Sequence, residues 1–228
     1  MDVIQEAGGA TLPFSDVKLL IGIPSRDDRC FIEFATSLLK SGKSFMDKGG
    51  TLSVEKSLNS SFVCLSRNHL VKMLMEGDYT HLLMIDDDMS WNPEAIDEML
   101  LADKDVIAGA GPLKIPDPKF AVIGVTDFYS KIVECTHIGG AFMMLKRSVI
   151  EKMIKAYSET YYSEYDKCHH FFRMEIRRDK MITEDFRFCE LWRATGGKVW
   201  CYTDVTFGHL GQKEYQGNYR QALDKSIK

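Results

Sequence analysis

The chain has 228 residues, 45% of them hydrophobic and 27% charged, which suits one α/β domain with a substantial core and argues against two separate domains. Its formal net charge of −4 and pI near 5.9 exclude a global attraction to nucleic acid or to an anionic membrane, so such a partner would need a local patch. The N-terminus lacks a signal pattern, and no apolar run approaches the roughly 18 residues that span a bilayer, so we expect a soluble, cytoplasmic protein without a transmembrane segment. Peripheral attachment to a membrane stays open.

The cysteines are scattered without a CxxC spacing and predict buried, reduced thiols rather than a disulfide framework. The run Cys168-His169-His170 has no second ligand pair at a suitable spacing. A polar loop is therefore favoured there over a zinc site. The six positions are Cys30, Cys64, Cys135, Cys168, Cys189 and Cys201.

The first elements predict the start of an open α/β sheet. Residues 1–17 are interpreted as an N-terminal arm, and residues 18–23 (KLLIGI) as a buried strand. Pro24, Ser25 and Arg26 then form the turn into a helix over residues 29–41. Ligands of such sheets bind beyond the carboxyl ends of the strands. This turn is thus a candidate nucleotide site, although the same residues also make an ordinary turn.

A strand over residues 51–56 and a helix from residue 61 or 66 to Glu76 follow, with Gly77 at the helix end. Arg67 lies on this helix next to Asn68. Taken alone, Arg67 is a solvated helix residue or a member of an ion pair.

The most informative stretch is Thr80 to Trp91, THLLMIDDDMSW. Its apolar run predicts a strand covered on both faces, and the aspartate triplet 86–88 follows at once. Adjacent carboxylates repel one another, and a divalent cation is the simplest way to hold them ionised. Their hard oxygen ligands suit Mn²⁺ or Mg²⁺.

An Asp-rich turn also ends strands for reasons of solubility and turn geometry. Against that alternative, Asn92 and Pro93 read as the N-cap and first residue of a helix. They predict that the aspartates lie in a tight loop between a buried strand and a helix.

The middle of the chain continues the alternation of strands and helices. We predict a helix over residues 93–101, a strand over 105–110, antiparallel strands over 120–125 and 131–135, a strand over 142–145 and a helix over 148–157. Gly139 and Gly140 precede the strand at 142, where they allow close approach of a ligand or backbone, or form a bulge. The order predicts an α/β fold with a mixed, mostly parallel central sheet flanked by helices.

Residues 158–181 have no clear period and are rich in aromatic and arginine side chains. A long irregular excursion inside one domain is either functional or disordered, and aromatic faces suit sugars or bases. We interpret the segment as an acceptor loop or lid, with a surface insert of no function as the alternative. Arg173, Arg177 and Arg178 are its candidates for a local basic patch.

A helix from Thr183 to Thr195 brings two acids, Glu184 and Asp185, to a helix N-terminus, where they complement the helix dipole or accept a proton from a hydroxyl. Thr183 is a good N-cap residue. After a strand over 198–202, His209 lies between two glycines that are expected to hold it in a turn. Residues 212–228 form a polar tail, either a helix over the site or a frayed end.

In this order the motifs resemble those of the metal-dependent, family-2-like glycosyltransferases of the GT-A fold. Asp86-Asp87-Asp88 fits their DxD motif, Glu184-Asp185 fits their acceptor-side ED motif, and His209 fits a C-terminal histidine. The resemblance implies a GT-A domain over 18–211, with a nucleotide-binding half (18–112) and an acceptor half (113–211).

The resemblance also implies roles for individual residues. Asp185 would be the catalytic base with Glu184 second, and Asp86, Asp88 and His209 would hold Mn²⁺ or Mg²⁺. The donor-binding residues that it implies are Pro24, Ser25, Arg26, Arg67, Asp86, Asp87, Gly139 and Gly140.

The implied activity is transfer of a sugar from a UDP- or GDP-linked donor to an acceptor hydroxyl, with inversion at the anomeric carbon. The acceptor stays open between a saccharide, a protein and a modified DNA base. One alternative is a nucleotidyltransferase, although residues 24–28 lack the glycines of its phosphate loop. Another is a non-catalytic module that binds nucleotide sugars or glycans.

Overall fold

The computed structural model describes residues 14–27, 29–57, 60–117, 119–162, 167–211 and 213–226. Most of the expected N-terminal arm, up to residue 13, lies outside the described residues. The same holds for Tyr165 of the aromatic stretch.

Helices and short strands alternate along the described chain. The α-helices are α1 (Ile32–Asp47), α2 (Val63–Glu76), α3 (Ala95–Leu101), α4 (Arg147–Ala156), α5 (Glu184–Ala194) and α6 (Tyr219–Ser226). The strands are β1 (Lys18–Ile23), β2 (Thr51–Lys56), β3 (His81–Ile85), β4 (Met89–Trp91), β5 (Val106–Gly109), β6 (Val122–Ile123), β7 (Ile132–Cys135), β8 (His137–Ile138), β9 (Phe142–Lys146), β10 (Tyr161–Tyr162), β11 (Cys168–His169), β12 (Glu175–Arg177), β13 (Lys180–Ile182), β14 (Val199–Tyr202), β15 (Thr206–His209) and β16 (Tyr215–Asn218).

A seven-stranded sheet in the order β2-β1-β3-β9-β5-β14-β7 forms the centre of the domain. Strands β2, β1 and β3 are mutually parallel, as are β5 and β14, whereas β9 and β7 run antiparallel to their neighbours. The expected α/β fold with a mixed, mostly parallel central sheet is therefore confirmed. The proposed division of the domain at residue 112 stays a prediction.

Side chains of the central strands point alternately to the two faces of the sheet and pack into two hydrophobic cores, one on each face. On one face Leu82 packs with residues of α2, α4 and α5, including Leu70 and Phe188. On the other, Leu83 packs with residues of α1 and α3, including Phe34. Because side chains of a strand alternate between faces, a continuous apolar strand such as β3 needs helices on both sides.

The aspartate triplet joins two strands, so its expected position between a strand and a helix is wrong. Strand β4 follows directly, and α3 begins only at Ala95, with Glu94 rather than Asn92 as its N-cap. Tertiary pairing overrides the local cap signal, because β4 pairs with β15 and the indole of Trp91 donates to Ser41 Oγ at 3.0 Å. A three-stranded sheet, β16-β15-β4, thus lies beside the aspartates.

Three further local expectations are corrected. Helix α1 begins at Ile32 and extends to Asp47, later at both ends than predicted. The strands expected at 120–125 and 131–135 do not pair with each other, because β6 pairs with β8 while β7 joins the edge of the central sheet against β14. His209 ends strand β15 instead of lying in a turn.

The excursion after α4 is anchored to the core. Phe171 and Phe172 are fully buried, and the Asn68 side chain binds the backbone of Phe172 at both its N–H (2.9 Å) and its carbonyl (2.7 Å). Two pairs of antiparallel strands, β10 with β11 and β12 with β13, flank this anchor, and the second pair forms a hairpin. Asn68, which sequence analysis noted only as a neighbour of Arg67, therefore fastens the segment to α2.

Four cysteines are buried as expected, and burial raises the pKa of Cys135 and Cys189 to about 12. Cys30 is exposed and Cys64 half-buried, so these two thiols depart from the expectation. Within the described ranges, none of the helices has the length and apolar character needed to cross a membrane. The C-terminal segment forms β16, which pairs with the strand that carries His209, and then α6.

Candidate active site

A cavity of about 380 Å³ opens at the carboxyl edge of the central sheet, beyond the ends of β3 and β5. Strand β9 enters the sheet at this edge because it runs antiparallel to both. Helices α2 and α5 supply the remaining charged residues. Seven residues singled out from the sequence line this cavity: Arg67, Asp86, Gly139, Gly140, Glu184, Asp185 and His209.

A buried arginine joins two acids inside the cavity. Arg67 is 3% exposed, and its guanidinium lies 2.6 Å from Glu184 Oε1 and 3.2 Å from Asp86 Oδ1. Burial opposes the charged form, but Asp86 and Glu184 outweigh it and raise the pKa of Arg67. Burial also raises the pKa of Glu184, and Arg67 limits that rise. Of the two readings for Arg67, the ion pair is the correct one.

The glycine pair leaves room for this arginine. A Cβ atom on Gly140 would lie 2.5 Å from Arg67 Nη1, so a side chain there would displace the guanidinium. One on Gly139 would lie 3.2 Å from the Ala121 methyl group and 3.7 Å from Asp185 Oδ2. Of the two glycines, Gly140 is the one that permits a close approach, and the group that approaches it is the Arg67 side chain of α2.

Asp185 is held by three donors at the start of α5. Its Oδ2 accepts the Gly140 N–H at 3.0 Å, and its Oδ1 accepts the Phe186 N–H at 2.8 Å and the Thr183 hydroxyl. Thr183 occupies the N-cap position without a capping side-chain bond. Its hydroxyl instead fixes the rotamer of Asp185, which leaves this half-buried carboxylate oriented along the cavity wall.

The three consecutive aspartates have three different environments. Asp86 faces Arg67, and Asp87 lies near the hydroxyl of Ser25 at the end of β1. Burial raises the pKa of Asp87, and the charges of Asp88 and Asp86 add to that rise. Asp88 lies 2.5 Å from the ammonium of Lys114 and 3.3 Å from His209 Nε2. Burial opposes ionisation of Asp88, but His209 and Lys114 prevail and lower its pKa.

His209 is oriented by a backbone carbonyl. Its Nδ1 donates to the carbonyl of Pro112 at 2.7 Å, which leaves Nε2 directed at Asp88 Oδ1, 3.3 Å away. In the neutral imidazole both of these atoms are acceptors, so a proton or a metal ion is needed between them. Burial opposes a proton on His209, but Asp88 and Pro112 outweigh it and raise its pKa.

The Asp88–His209 pair has donors that fit Mn²⁺ or Mg²⁺. A carboxylate oxygen and an imidazole nitrogen converge, and the Pro112 carbonyl fixes the histidine tautomer as the partners of metal-bound histidines do. No cluster of three or more potential ligands occurs among the described residues. An ion held by this pair would therefore need further ligands, such as water, to complete its coordination.

The turn after β1 lies outside the cavity lining. Ser25 is 4% exposed and near Asp87, whereas the exposed Arg26 binds its neighbour Asp27 at 2.6 Å. Ser25 thus adjoins the aspartate loop at Asp87, and the charge of Arg26 also acts on Asp87. Of the three aspartates, Asp86 lines the cavity, whereas Asp87 and Asp88 lie outside its lining.

Three groups at the site are not indicated by the sequence alone: the Lys114 ammonium, the Pro112 carbonyl and the Thr183 hydroxyl in its contact with Asp185. Lys114 lies 26 positions from Asp88, in the connection between the strands predicted over 105–110 and 120–125. No local sequence pattern predicts a contact between residues so far apart in the chain. Thr183 stands two residues before a candidate base, which permits a contact between their side chains, but a threonine at this position equally predicts an N-cap.

Comparison with known proteins supports the fold. No protein-family model matches the chain, and no curated protein matches it. The crystal structure of A197 from STIV aligns with a TM-score of 0.58 and 16% identity over 89% of this chain and 90% of that chain, which shows a shared fold.

Two further solved structures align more weakly. A Drosophila β1,4-galactosyltransferase 7 mutant in complex with manganese, UDP-Gal and xylobiose has a TM-score of 0.47 and 14% identity, over 93% of this chain and 80% of that one. The S. aureus TarS structure in complex with UDP-GlcNAc has a TM-score of 0.46 and 14% identity, over 90% of this chain and 61% of that one. Both similarities are too low to carry a functional conclusion.

Proposed function

We propose that this protein is a glycosyltransferase that moves a sugar from a UDP- or GDP-linked donor to an acceptor hydroxyl. The proposal rests on one observation: Asp86, Arg67, Asp185 and His209 line the same cavity at the carboxyl edge of the sheet. These residues come from four separate elements of the chain, and each was singled out from its resemblance to a glycosyltransferase motif. Ligands of α/β sheets bind at this edge.

The donor would lie across the aspartate loop. Ser25 and Asp87 adjoin each other at the end of β1 and would hold the nucleoside, while Gly139 and Gly140 would lie beside the sugar. Asp88 and His209 would bind Mn²⁺ or Mg²⁺, which would stabilise the negative charge on the departing diphosphate.

Asp185 would act as the base. In the step that we propose, the acceptor oxygen forms a bond to the anomeric carbon while the bond from that carbon to the diphosphate breaks, and its electron pair leaves with the nucleotide. The proton of the acceptor hydroxyl moves to Asp185, which Thr183 and Gly140 hold in place. A single displacement inverts the anomeric configuration. Glu184 is committed to Arg67 and would support the site electrostatically.

The acceptor would approach from the side of the hairpin β12–β13, because β13 leads directly into Thr183 and Asp185. Ile176 and Met181 of this hairpin are exposed, as is Met174 just before it. The role of residues 158–181 as an acceptor loop or lid stays a prediction, and a saccharide, a protein and a modified DNA base remain the acceptor classes to be tested.

A thermal-shift screen with nucleotide sugars tests the proposal. Unfolding of the protein is followed with UDP- and GDP-sugars, with and without Mn²⁺, and repeated on Asp88→Ala. A ligand present at about 100 times its Kd stabilises the folded state by about 2.7 kcal/mol. We expect Mn²⁺-dependent stabilisation by one nucleotide class, and its loss in Asp88→Ala.

Asp78→Ala is the matched control, since the Asp78 side chain is 92% exposed and, in the part of the chain that the structure describes, its ion pair is with Lys18. It should respond to the ligands as the unaltered protein does. Turnover with the donor that binds then separates an enzyme from a binding module, and a product with the donor's own anomeric configuration would exclude inversion. A protein that no nucleotide sugar stabilises, with or without Mn²⁺, contradicts the proposed function.

A further inference from the structure

Lys114 contacts the aspartate that is expected to hold the metal. It lies between β5 and β6, and its ammonium is 2.5 Å from Asp88 Oδ2, while Asp88 Oδ1 faces His209. The same segment supplies the Pro112 carbonyl that orients His209. Both oxygens of Asp88 thus face nitrogen atoms whose positions depend on residues 112–114.

The two cations of the site differ in how firmly they are held. The Arg67 side chain is 4% exposed and bound to two carboxylates. The Lys114 side chain is 37% exposed, and within the described ranges it pairs with Asp88 alone. A single, partly exposed ion pair contributes up to about 1 kcal/mol, whereas a buried pair is costly to break. Lys114 is therefore the cation that can leave its partner.

We propose that Lys114 is a further donor-binding residue: it holds Asp88 before ligands bind, and it moves to the donor's diphosphate when Asp88 takes a divalent cation. This inference rests on the proposed function. An ammonium group and a divalent cation repel each other at close range, so a metal ion on Asp88 weakens the contact of Lys114 with that carboxylate. A lysine on a flexible stem is well suited to a phosphate group, which it binds as a point charge.

Removing the ammonium group must then change the affinities for the two ligands in opposite directions. Mn²⁺ gains affinity because its internal competitor is gone. A nucleoside diphosphate loses affinity because a positive partner is gone. If Lys114 merely stabilised the loop, its removal would lower the affinity for both ligands. Changes of opposite sign in the two affinities therefore distinguish the two roles.

Isothermal titration calorimetry on Lys114→Met tests this. The protein is titrated first with Mn²⁺ alone, and then with UDP and with GDP at saturating Mn²⁺. We expect Mn²⁺ to bind up to about fivefold more tightly. We expect the nucleoside diphosphate that the unaltered protein prefers to bind about tenfold more weakly. Lys119→Met is the matched control, since Lys119 is an exposed lysine of the same segment and should leave both affinities unchanged.

Lys114→Gln is a second neutral variant and must give the same signs, which guards against a folding defect of either one. An unchanged or reduced affinity for Mn²⁺, or an unchanged affinity for the diphosphate, overturns the inference. If the unaltered protein binds both ligands and the variants match Lys119→Met, only this inference fails. If the unaltered protein binds neither Mn²⁺ nor a nucleoside diphosphate, the proposed function fails with it.

Discussion

Gly140 and Arg67 share a space that has no room for one more carbon atom. A Cβ on Gly140 would lie 2.5 Å from Nη1 and 2.8 Å from Cζ of the arginine. The guanidinium cannot retreat at low cost, because it is 2.6 Å from Glu184 and 3.2 Å from Asp86 in a buried position. The glycine and the ion pairs therefore depend on each other.

Gly140→Ala should consequently destabilise the protein. We expect the free energy of unfolding to fall by about 2 kcal/mol, the usual scale for overpacking, as measured by urea denaturation. Gly211→Ala is the control, because a Cβ there would meet its nearest neighbour, Lys114 Cδ, only at 3.6 Å. Equal stability of the two variants would show that Arg67 can move away freely.

Arg67→Met should leave two acids buried without compensation. We expect it to lower the free energy of unfolding by about 3 to 5 kcal/mol. Adding Glu184→Gln should restore part of this loss, at least about 1 kcal/mol, because the double variant no longer buries an unpaired Glu184 carboxylate. Arg177→Met is a suitable comparison, since its side chain is 44% exposed and its ion pairs with Glu175 and Glu190 are open to solvent, which screens them. A double variant that is no more stable than Arg67→Met would argue against the pairing.

Asp185→Asn should abolish most turnover while leaving the donor bound. An amide cannot accept the acceptor's proton, so we expect the rate constant of transfer to fall by about 10² to 10⁴-fold. Donor-induced thermal stabilisation should persist. Glu190→Gln removes an acid from the same helix outside the cavity lining and should retain activity. Turnover of Asp185→Asn within tenfold of the unaltered enzyme would remove Asp185 from the role of base.

His81 should make the protein less stable in mild acid. Burial, helped by the charge of Lys146, lowers the pKa of His81 from 6.5 to about 4. Above pH 6.5 the imidazole is neutral in both the folded and the unfolded chain. Between about pH 6.5 and 4, His81 is protonated in the unfolded chain but stays neutral in the folded protein. The free energy of unfolding therefore falls as the pH is lowered.

Each unit of pKa difference corresponds to about 1.4 kcal/mol, which gives a loss of about 3 kcal/mol across this range. Chemical denaturation at several pH values, for the unaltered protein and for His81→Gln, measures it. The difference in free energy of unfolding between the two proteins should shift in favour of the variant as the pH falls, and should level off below about pH 4. A difference that is independent of pH would show that His81 takes up a proton while folded.

The sequence predicted the continuous apolar strands well and the contacts across the site poorly. Strands Lys18–Ile23 and Thr51–Lys56 have the predicted bounds, because their apolar or alternating residues lie between strong turn signals. The N-cap predicted at Asn92 is wrong, because a capping residue is a local signal, whereas the pairing of β4 with β15 depends on residues far along the chain. The ion pair of Arg67 and Glu184 joins residues 117 positions apart, so only a family resemblance could suggest that both face one cavity.

The placement of β9 has a consequence for how the chain is made. Strands β2, β1 and β3 connect to β5, β14 and β7 only through β9. During synthesis, one backbone edge of β3 therefore stays unpaired until β9 (Phe142–Lys146) has left the ribosome. A nascent chain that stalls before this strand would expose the apolar residues of β3 and β5 to chaperones or to aggregation, whereas one that stalls after it can already join β3 to β5 through β9.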